Sequence, residues 1–481
     1  METIETGPTE SNLSPAPLHW GDLLTINFLF GGTSFLWGAL PSNILAPLVL
    51  ILVSKQGADA SLAFLLILGH LISMLTQPFG GALSDRLRDR WGRRRPLMVS
   101  GTMTSLVFLA LFEWTLTGPL TNAGIKFPFL PFTDNADYWL IVLWYIGLQF
   151  GSNLAQAGAQ GLIPDLAPSS QRGAAAGVKT FFELLVGFVL IAIFVPAIYS
   201  NSGNLIVLGG QNLILIIAVV LLLTLVLNVV AIREVPASSN HVPPVVETAR
   251  HAFEINATRD AAYINLLALR LFCLAGFAIF LNFSGFYFRD LVLANQPNAS
   301  EFAGVIQRTL LFIIGVSAVV ISIPAGVISD HFGRMPVTAI GGLLAAVGAF
   351  GILLARNVII LNLGLVAITD LGLVSILIGL GMGLFHAGSW AWATDLVPSD
   401  QAARFLGLAY VATIGSLFLA YLGGLILDAF NTFQPGSGFN VVFILAAVWL
   451  GLGALISLRT RDTRGKNAGS TPILSGTLDQ V

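Results

Sequence analysis

The chain has 481 residues, of which 55% are hydrophobic and only 10% charged, with a net charge of −2 and a mean hydropathy of +0.83. A soluble domain is about one-quarter charged, so this composition excludes a soluble enzyme carrying a single anchor. The lone cysteine, Cys273, lies inside an apolar run and excludes an intrachain disulfide or a thiolate zinc cluster.

Residues 1–20 are acidic and polar, with no basic stretch ahead of an apolar one, so they read as a disordered cytoplasmic tail rather than a cleavable signal peptide. Apolar spans of roughly 20 residues then read as membrane helices. The first six fall near 22–53, 61–83, 97–117, 138–162, 173–198 and 204–231. A polar connector, 234–262, follows, with a short surface helix expected over 245–253. The second six fall near 263–290, 302–328, 336–355, 363–392, 403–428 and 437–458, and a disordered cytoplasmic tail is expected over 461–481. The spans at 22–53 and 363–392 are long enough to tilt or bend. The segment 118–137, rich in Pro and Phe, is expected to fold over the first half. The predicted fold is an all-α integral membrane protein with twelve transmembrane helices in two pseudo-symmetric six-helix bundles, 21–233 and 263–460.

Lys and Arg set the orientation, because basic loops stay on the cytoplasmic side. Sixteen of the 23 Lys and Arg fall in the loops after predicted helices 2, 4, 6, 8 and 10, in the C-terminal tail, or at the edges of those segments. Both termini are therefore expected to be cytoplasmic. Lys179 and Arg270 are read as lying near inner helix ends.

The two halves repeat each other. The stretch GGALSDRLRDRWGRRRP holds Arg86, Arg88, Arg90, Arg93, Arg94 and Arg95, and returns in shorter form as GVISDHFGRMP, with Asp85 and Asp330 separated by 245. PDLAPSSQRG returns as TDLVPSDQAARF, with Asp165 and Asp395 separated by 230.

A duplicated six-helix unit with a charged phrase after its second helix resembles the major facilitator superfamily. Gly326, Asp330, Gly333 and Arg334 match that superfamily's loop signature. The first-half copy is longer between Asp85-Arg86 and Gly92-Arg93-Arg94-Arg95 and follows Gln77-Pro78. In that form it resembles the branch of plant-type sucrose–proton symporters and glycoside–pentoside–hexuronide symporters. The resemblance implies a secondary transporter that binds its solute between the halves, which rock to expose it to each side in turn. It also implies that Asp85 faces the N-terminus of helix 11, just after Asp395. On this reading Gly81, Asp85, Arg86, Gly92, Arg93, Arg94, Asp165, Arg172, Asp330, Gly333, Arg334 and Asp395 form gating loops. The competing reading is a basic loop that only fixes topology.

Charges inside a bilayer cost at least a few kcal/mol on insertion scales, so each asks for a reason. Glu183 lies near mid-depth in helix 5, with Lys179 one turn away on the same face. The pair is either a self-neutralised contact or a proton or substrate site. His70 and His386 titrate near neutrality when exposed; each is either a quiet bundle histidine or part of the cycle, and His70 is a candidate for both binding and coupling. Helix 4 presents Asn153, Gln156 and Gln160 as one polar stripe, extended by Gln149. Its amides either line a cavity for a hydroxyl-rich ligand or bond between helices. The repeat places His386 opposite Gln156 and Trp390 opposite Gln160. Asn27 and Trp37 on helix 1 and Asn282 on helix 7 complete the binding candidates.

Two departures from the resemblance bear on coupling. The positions of the two helix-2 acids of the sodium-coupled glycoside symporters hold Ser73 and Gln77. The positions of the helix-4 acid and base of the sucrose symporters hold Gln149 and Gln160. The usual coupling groups are thus missing, leaving Glu183 with Lys179, a histidine, or no coupling at all.

No Walker, GxSxG or HExxH sequence is present. The expected protein is no enzyme, needs no cofactor or metal, and does not bind nucleic acid. It is expected to be a monomeric multi-pass protein of the plasma membrane, carrying a sugar or similar hydroxylated small solute, with protons as a candidate coupling ion. The rivals are an exporter of amphipathic compounds with the same fold and a non-transporting scaffold or sensor.

Overall fold

A computed structural model of the chain describes residues 17–53, 55–118, 122, 124–126, 133–201, 206–232, 234, 245–256, 260–356, 358–362, 367–398 and 400–460. Within a bilayer every backbone polar group must find an internal partner, which leaves the helix as the economical form for such apolar runs. Among the described residues there are twelve long helices. They are α1 (Trp20–Leu52), α2 (Lys55–Arg86), α3 (Arg95–Thr115), α4 (Ala136–Gln160), α5 (Arg172–Asn201), α6 (Ile206–Ala231), α7 (Ala261–Val292), α8 (Ala299–Phe332), α9 (Arg334–Gly351), α10 (Asp370–Leu396), α11 (Ala402–Phe433) and α12 (Ser437–Arg459). Eleven are long and apolar enough to cross a membrane by length and composition. The exception is α4, whose amides Gln149, Asn153, Gln156 and Gln160 dilute its apolar character without shortening its 25 residues.

The long helices carry local departures with identifiable causes. In α1 a π-helical turn spans Pro41–Leu45, and in α5 another spans Leu185–Leu190, ahead of Pro196. Pro78 lies inside α2 and Pro324 inside α8. Large apolar side chains such as Leu75, Val107, Leu215, Val230, Val320 and Leu425 point outward, where lipid rather than water suits them. A short helix, Val245–His251, packs against α2.

One predicted span begins too early. The run read as helical from 363 instead contributes to an antiparallel pair, β1 (Ile359–Asn362) with β2 (Ala367–Thr369), and α10 starts only at Asp370. Its β-branched residues suit a strand as well as a helix, and Thr369 caps α10 by accepting the N–H of Gly372. The expected fold of 118–137 over the first half falls largely outside the described residues; within the described part, Asn135 donates to the Leu52 carbonyl of α1. Most of both expected tails also lies outside the described residues.

Across the two halves, α2 runs against α11 and α5 against α8. These two seams position the site.

Candidate functional site

At the end of the bundle that bears the charged loops, the halves meet through two matching contacts. Asp85, at the end of α2, accepts the backbone N–H groups of Ala403 (3.2 Å) and Arg404 (2.9 Å), the first turn of α11. Asp330, at the end of α8, accepts those of Gly173 (2.9 Å) and Ala174 (2.8 Å), the first turn of α5. Each carboxylate thereby meets the positive end of a helix macrodipole as well as two otherwise unpaired donors. One turn earlier the helices touch backbone to backbone. A Cβ on Gly81 would collide with the Ala403 carbonyl, and one on Gly326 with the Gly173 carbonyl.

Each carboxylate is held from behind by a fully enclosed arginine. Arg94 donates to Asp85 (2.6 Å) and to Asp165 (2.7 Å), and Arg334 donates to Asp330 (2.5 Å) and to Asp395 (2.8 Å). Burial, the largest influence on Arg94, opposes its charge, but Asp85 and Asp165 more than offset this and hold the guanidinium above its ordinary range. Arg93 adds a two-pronged bond to Asp165 (3.0 and 2.5 Å). Arg172 reaches across the halves to the Thr394 carbonyl (2.9 Å) and more loosely to Asp395 (3.5 Å).

Above this closed end lies a cavity of about 1280 Å³ between the halves. Lys179, Glu183, Arg270, His386, Trp390, Gln156 and Gln160 line its deep part. Its walls continue past Trp37, Phe188, Phe277 and Phe312 to Asn43, Pro196, Tyr199 and Arg308, toward the helix ends opposite the charged loops. Lys179 bonds Glu183 at 2.6 Å and its ammonium sits 4.0 Å from the Trp390 ring centroid. Arg270 covers the same indole at 5.2 Å while donating to Ser389 (2.8 Å) and Thr413 (3.3 Å). Trp390 is thus flanked by two cations.

The family model for the Major Facilitator Superfamily matches residues 23–413 and 309–475. The chain belongs to this superfamily. It is therefore a multi-pass membrane transporter of the major facilitator class and not an enzyme. Sucrose transport protein SUT1 of Oryza sativa subsp. japonica is 28% identical over 167 residues, which is 34% of this chain and 30% of that protein. The match thus spans less than a third of that relative's length. An MFS-type transporter of Methanocaldococcus jannaschii is 24% identical over 431 residues, covering 86% of this chain and 92% of that one. Among solved structures, the proton:xylose symporter XylE bound to 6-bromo-6-deoxy-D-glucose superposes with a TM-score of 0.62 at 18% identity, over 92% of this chain and 95% of that one.

Within this facilitator the cavity gathers Trp37, Gln156, Gln160, Lys179, Glu183, His386 and Trp390 and leaves out other sequence candidates. Asn27 is buried and donates to the Leu23 and Ala175 carbonyls, pinning α1 to α5 rather than facing a ligand. Asn153 is occupied by Ser73 (2.9 Å), the Gln149 carbonyl (2.7 Å) and Gln77 (3.0 Å), part of an amide network between α2 and α4. The stripe on α4 therefore divides: Gln149 and Asn153 bond between helices, Gln156 both accepts from Gln77 of α2 (2.7 Å) and lines the cavity, and Gln160 lines it. His70 is half-buried in α2 and does not line the cavity. Asn282 is exposed and points away from it, because α7 turns its Leu274, Phe277, Ala278 and Leu281 face inward instead. In the charged loops, Arg86 stays outside the network and its Nε finds no acceptor. Gly92 (φ +96°) and Gly333 (φ +117°) provide the left-handed turns into α3 and α9.

Two residues escaped the sequence reading. Arg270 was placed near an inner helix end, but it lies nine residues into α7, 4% exposed, in the cavity wall. Its neighbours at that depth were apolar, and only its charge could have singled it out. Glu234, just past α6, accepts the N–H groups of Arg94 (2.9 Å) and Arg95 (3.1 Å) and so caps α3. An acid at the start of a linker carries no signal for a contact 140 residues away.

Proposed function

We propose that this protein is a secondary active transporter that moves a sugar or similar hydroxylated small solute by alternating access, with the charged end as its cytoplasmic gate. The observation that carries the reading is the cavity between the halves, open toward one end and shut at the other by the Asp85 and Asp330 contacts. Uncharged amides (Gln156, Gln160, Asn43) and indoles (Trp37, Trp390) in that cavity suit hydroxyl groups and sugar faces. The similarity to a sucrose transport protein and to a xylose symporter points the same way. The excess of Lys and Arg on the closed side supports cytoplasmic termini, and the proposal takes the protein as a plasma-membrane monomer. Proton coupling is assigned to the Glu183–Lys179 pair, the one carboxylate contact at the cavity floor.

A second reading has its own support. The walls above the floor are largely apolar, with Phe188, Ile191, Leu281 and Phe312, which suits an amphipathic solute and export.

The test is thermal unfolding of the purified protein against mono- and disaccharides, glucuronides and amphipathic drugs, followed by flux with and without a pH gradient. A ligand at a hundredfold excess over its Kd stabilises the folded state by about 2.7 kcal/mol. A dose-dependent shift with one sugar class supports the first reading. Shifts with amphiphiles alone replace it with the second.

A further inference from the structure

The cavity floor does not balance its charge. Lys179 is neutralised by Glu183, but no carboxylate among the described residues lies within 4 Å of Arg270. Two cations less one carboxylate leave one formal positive charge, and the other charged residue in the lining, Arg308 at the exposed mouth, has the same sign. An uncompensated charge at this depth is costly in a membrane protein and calls for a partner.

Three polar atoms in the same wall are also unsatisfied although buried: Arg270 Nε, Trp390 Nε1 and Gln160 Oε1. Two of them are N–H donors, beside a guanidinium already anchored by Ser389 and Thr413. Those two hydroxyls fix its plane while leaving Nε open. The third is an amide oxygen, which accepts from a hydroxyl. A planar fork with a free N–H, a neighbouring indole N–H and one surplus positive charge together describe the recognition of a carboxylate. A carbonyl acceptor close by describes the recognition of a hydroxyl on the same molecule.

We infer that the solute of this transporter carries a single negative charge, a carboxylate held by Arg270 and Trp390, with a hydroxyl directed to Gln160. This refines the proposed function and rests on its assignment of the cavity as the solute site. One surplus charge matches a monoanion. A dianionic phosphate ester would leave the floor negative.

The experiment is isothermal titration of the full-length protein in detergent with matched probes. Gluconate, glucuronate and lactobionate are compared with glucitol, glucose and lactose, together with glucose 6-phosphate and benzoate. At least one acid is expected to bind, with its neutral counterpart at least tenfold weaker. Arg270→Gln is expected to weaken that acid by roughly tenfold or more, as for loss of one member of a buried charge pair, and so to narrow or abolish the preference for the acid over its neutral counterpart. Arg270→Lys, which keeps the charge without the fork, is expected to retain the acid preference at reduced affinity.

Equal binding of an acid and its neutral partner overturns the inference and leaves the sugar reading standing. Binding of benzoate alone supports the anion site and removes the sugar reading. Tighter binding of glucose 6-phosphate than of every monoacid overturns the single-charge count, and binding of none of the acids overturns the inference outright. If Arg270→Gln fails to fold, the double variant Ser389→Ala with Thr413→Val serves instead. It frees the guanidinium from its two anchors while keeping its charge, and is expected to weaken the acid several-fold. Unchanged acid affinity in that variant overturns the assignment.

Discussion

The closed end and the cavity treat the internal repeat in opposite ways. At the closed end the repeat is kept in the central contacts. Asp85 and Asp330 accept from the backbones of Ala403–Arg404 and Gly173–Ala174, pairs that the repeat relates by 230 residues. This holds although the first-half loop is longer: the arginine lies nine positions after the aspartate in one copy (94 − 85) and four in the other (334 − 330). The loop length changed and the bonding did not. In the cavity, related positions differ in chemistry: Gln156 answers to His386, Gln160 to Trp390, and Glu183 to Thr413. A closure between two like bodies benefits from making the same contact twice, whereas a small solute has no twofold axis for a symmetric site to match. Closure preserves the duplication and recognition breaks it.

The sharpest way to break this comparison is to remove one enclosed arginine from each half. Arg94→Gln and Arg334→Gln each remove the enclosed cation shared by two carboxylates, Asp165 keeping Arg93 and Asp395 keeping only the looser Arg172, and breaking a buried pair costs about 3–5 kcal/mol. Both are expected to lower the melting temperature of the purified protein by similar amounts. A large drop in one with none in the other would show that the two contacts are equivalent in geometry only.

Asp85→Asn and Asp330→Asn act more gently, since an amide oxygen still accepts an N–H but meets the helix dipole without charge. An N-terminal charge interaction is worth about 0.3–1 kcal/mol when exposed and up to about 2 kcal/mol when partly buried. Each variant is expected to remain folded, to transport more slowly, and to label more readily at a cysteine introduced near Gly81. Unchanged rates and unchanged labelling in both would leave the charged loops with topology alone.

In the cavity, Glu183→Gln removes the one carboxylate from the floor and frees Lys179. Uptake in this variant is expected to lose whatever dependence it has on an imposed pH gradient. Full retention of a proton-driven signal would move coupling to another group. Gln156→Leu comes next, expected to weaken solute binding by about 1 kcal/mol through the lost hydrogen bond to the solute, and separately to lower stability because one Gln77 N–H loses its acceptor. Asn282→Ala is the smallest. An exposed side chain outside the cavity is expected to shift stability and uptake by no more than about 0.5 kcal/mol, checked by the same melting and uptake curves.

The architecture was legible because it rests on signals that survive in one dimension. Runs of about twenty apolar residues, the Asp–Gly–Arg phrases and their spacing all lie along the chain. The cavity was legible only in part, because membership depends on which way each side faces and on what faces it. Gln149, Asn153, Gln156 and Gln160 share one helical stripe, yet Ser73 and Gln77 of α2 engage the first three, of which Gln156 also faces the cavity. Asn27 looked like a ligand group and instead bonds the Ala175 backbone across the α1–α5 seam. Arg270 carries no sign in one dimension of the cavity wall it joins, because its position along α7 does not say which way its side chain faces. Helix α10 was overextended because a β-branched apolar run suits a hairpin and a membrane helix equally in composition.

The reciprocal contacts at the closed end have a further consequence. Each half offers one carboxylate and one helix terminus and receives the same in return, which is the self-complementary arrangement of a twofold homodimer, built here within one chain. Such an interface has no leading corner. The two carboxylates sit on opposite sides of the pseudo-axis, so freeing one leaves the other clamped, and the energies of the two are expected to be coupled rather than additive. Under the proposed gating, the halves are expected to separate in a single concerted tilt or stay shut, a property of an all-or-none latch rather than of a zipper.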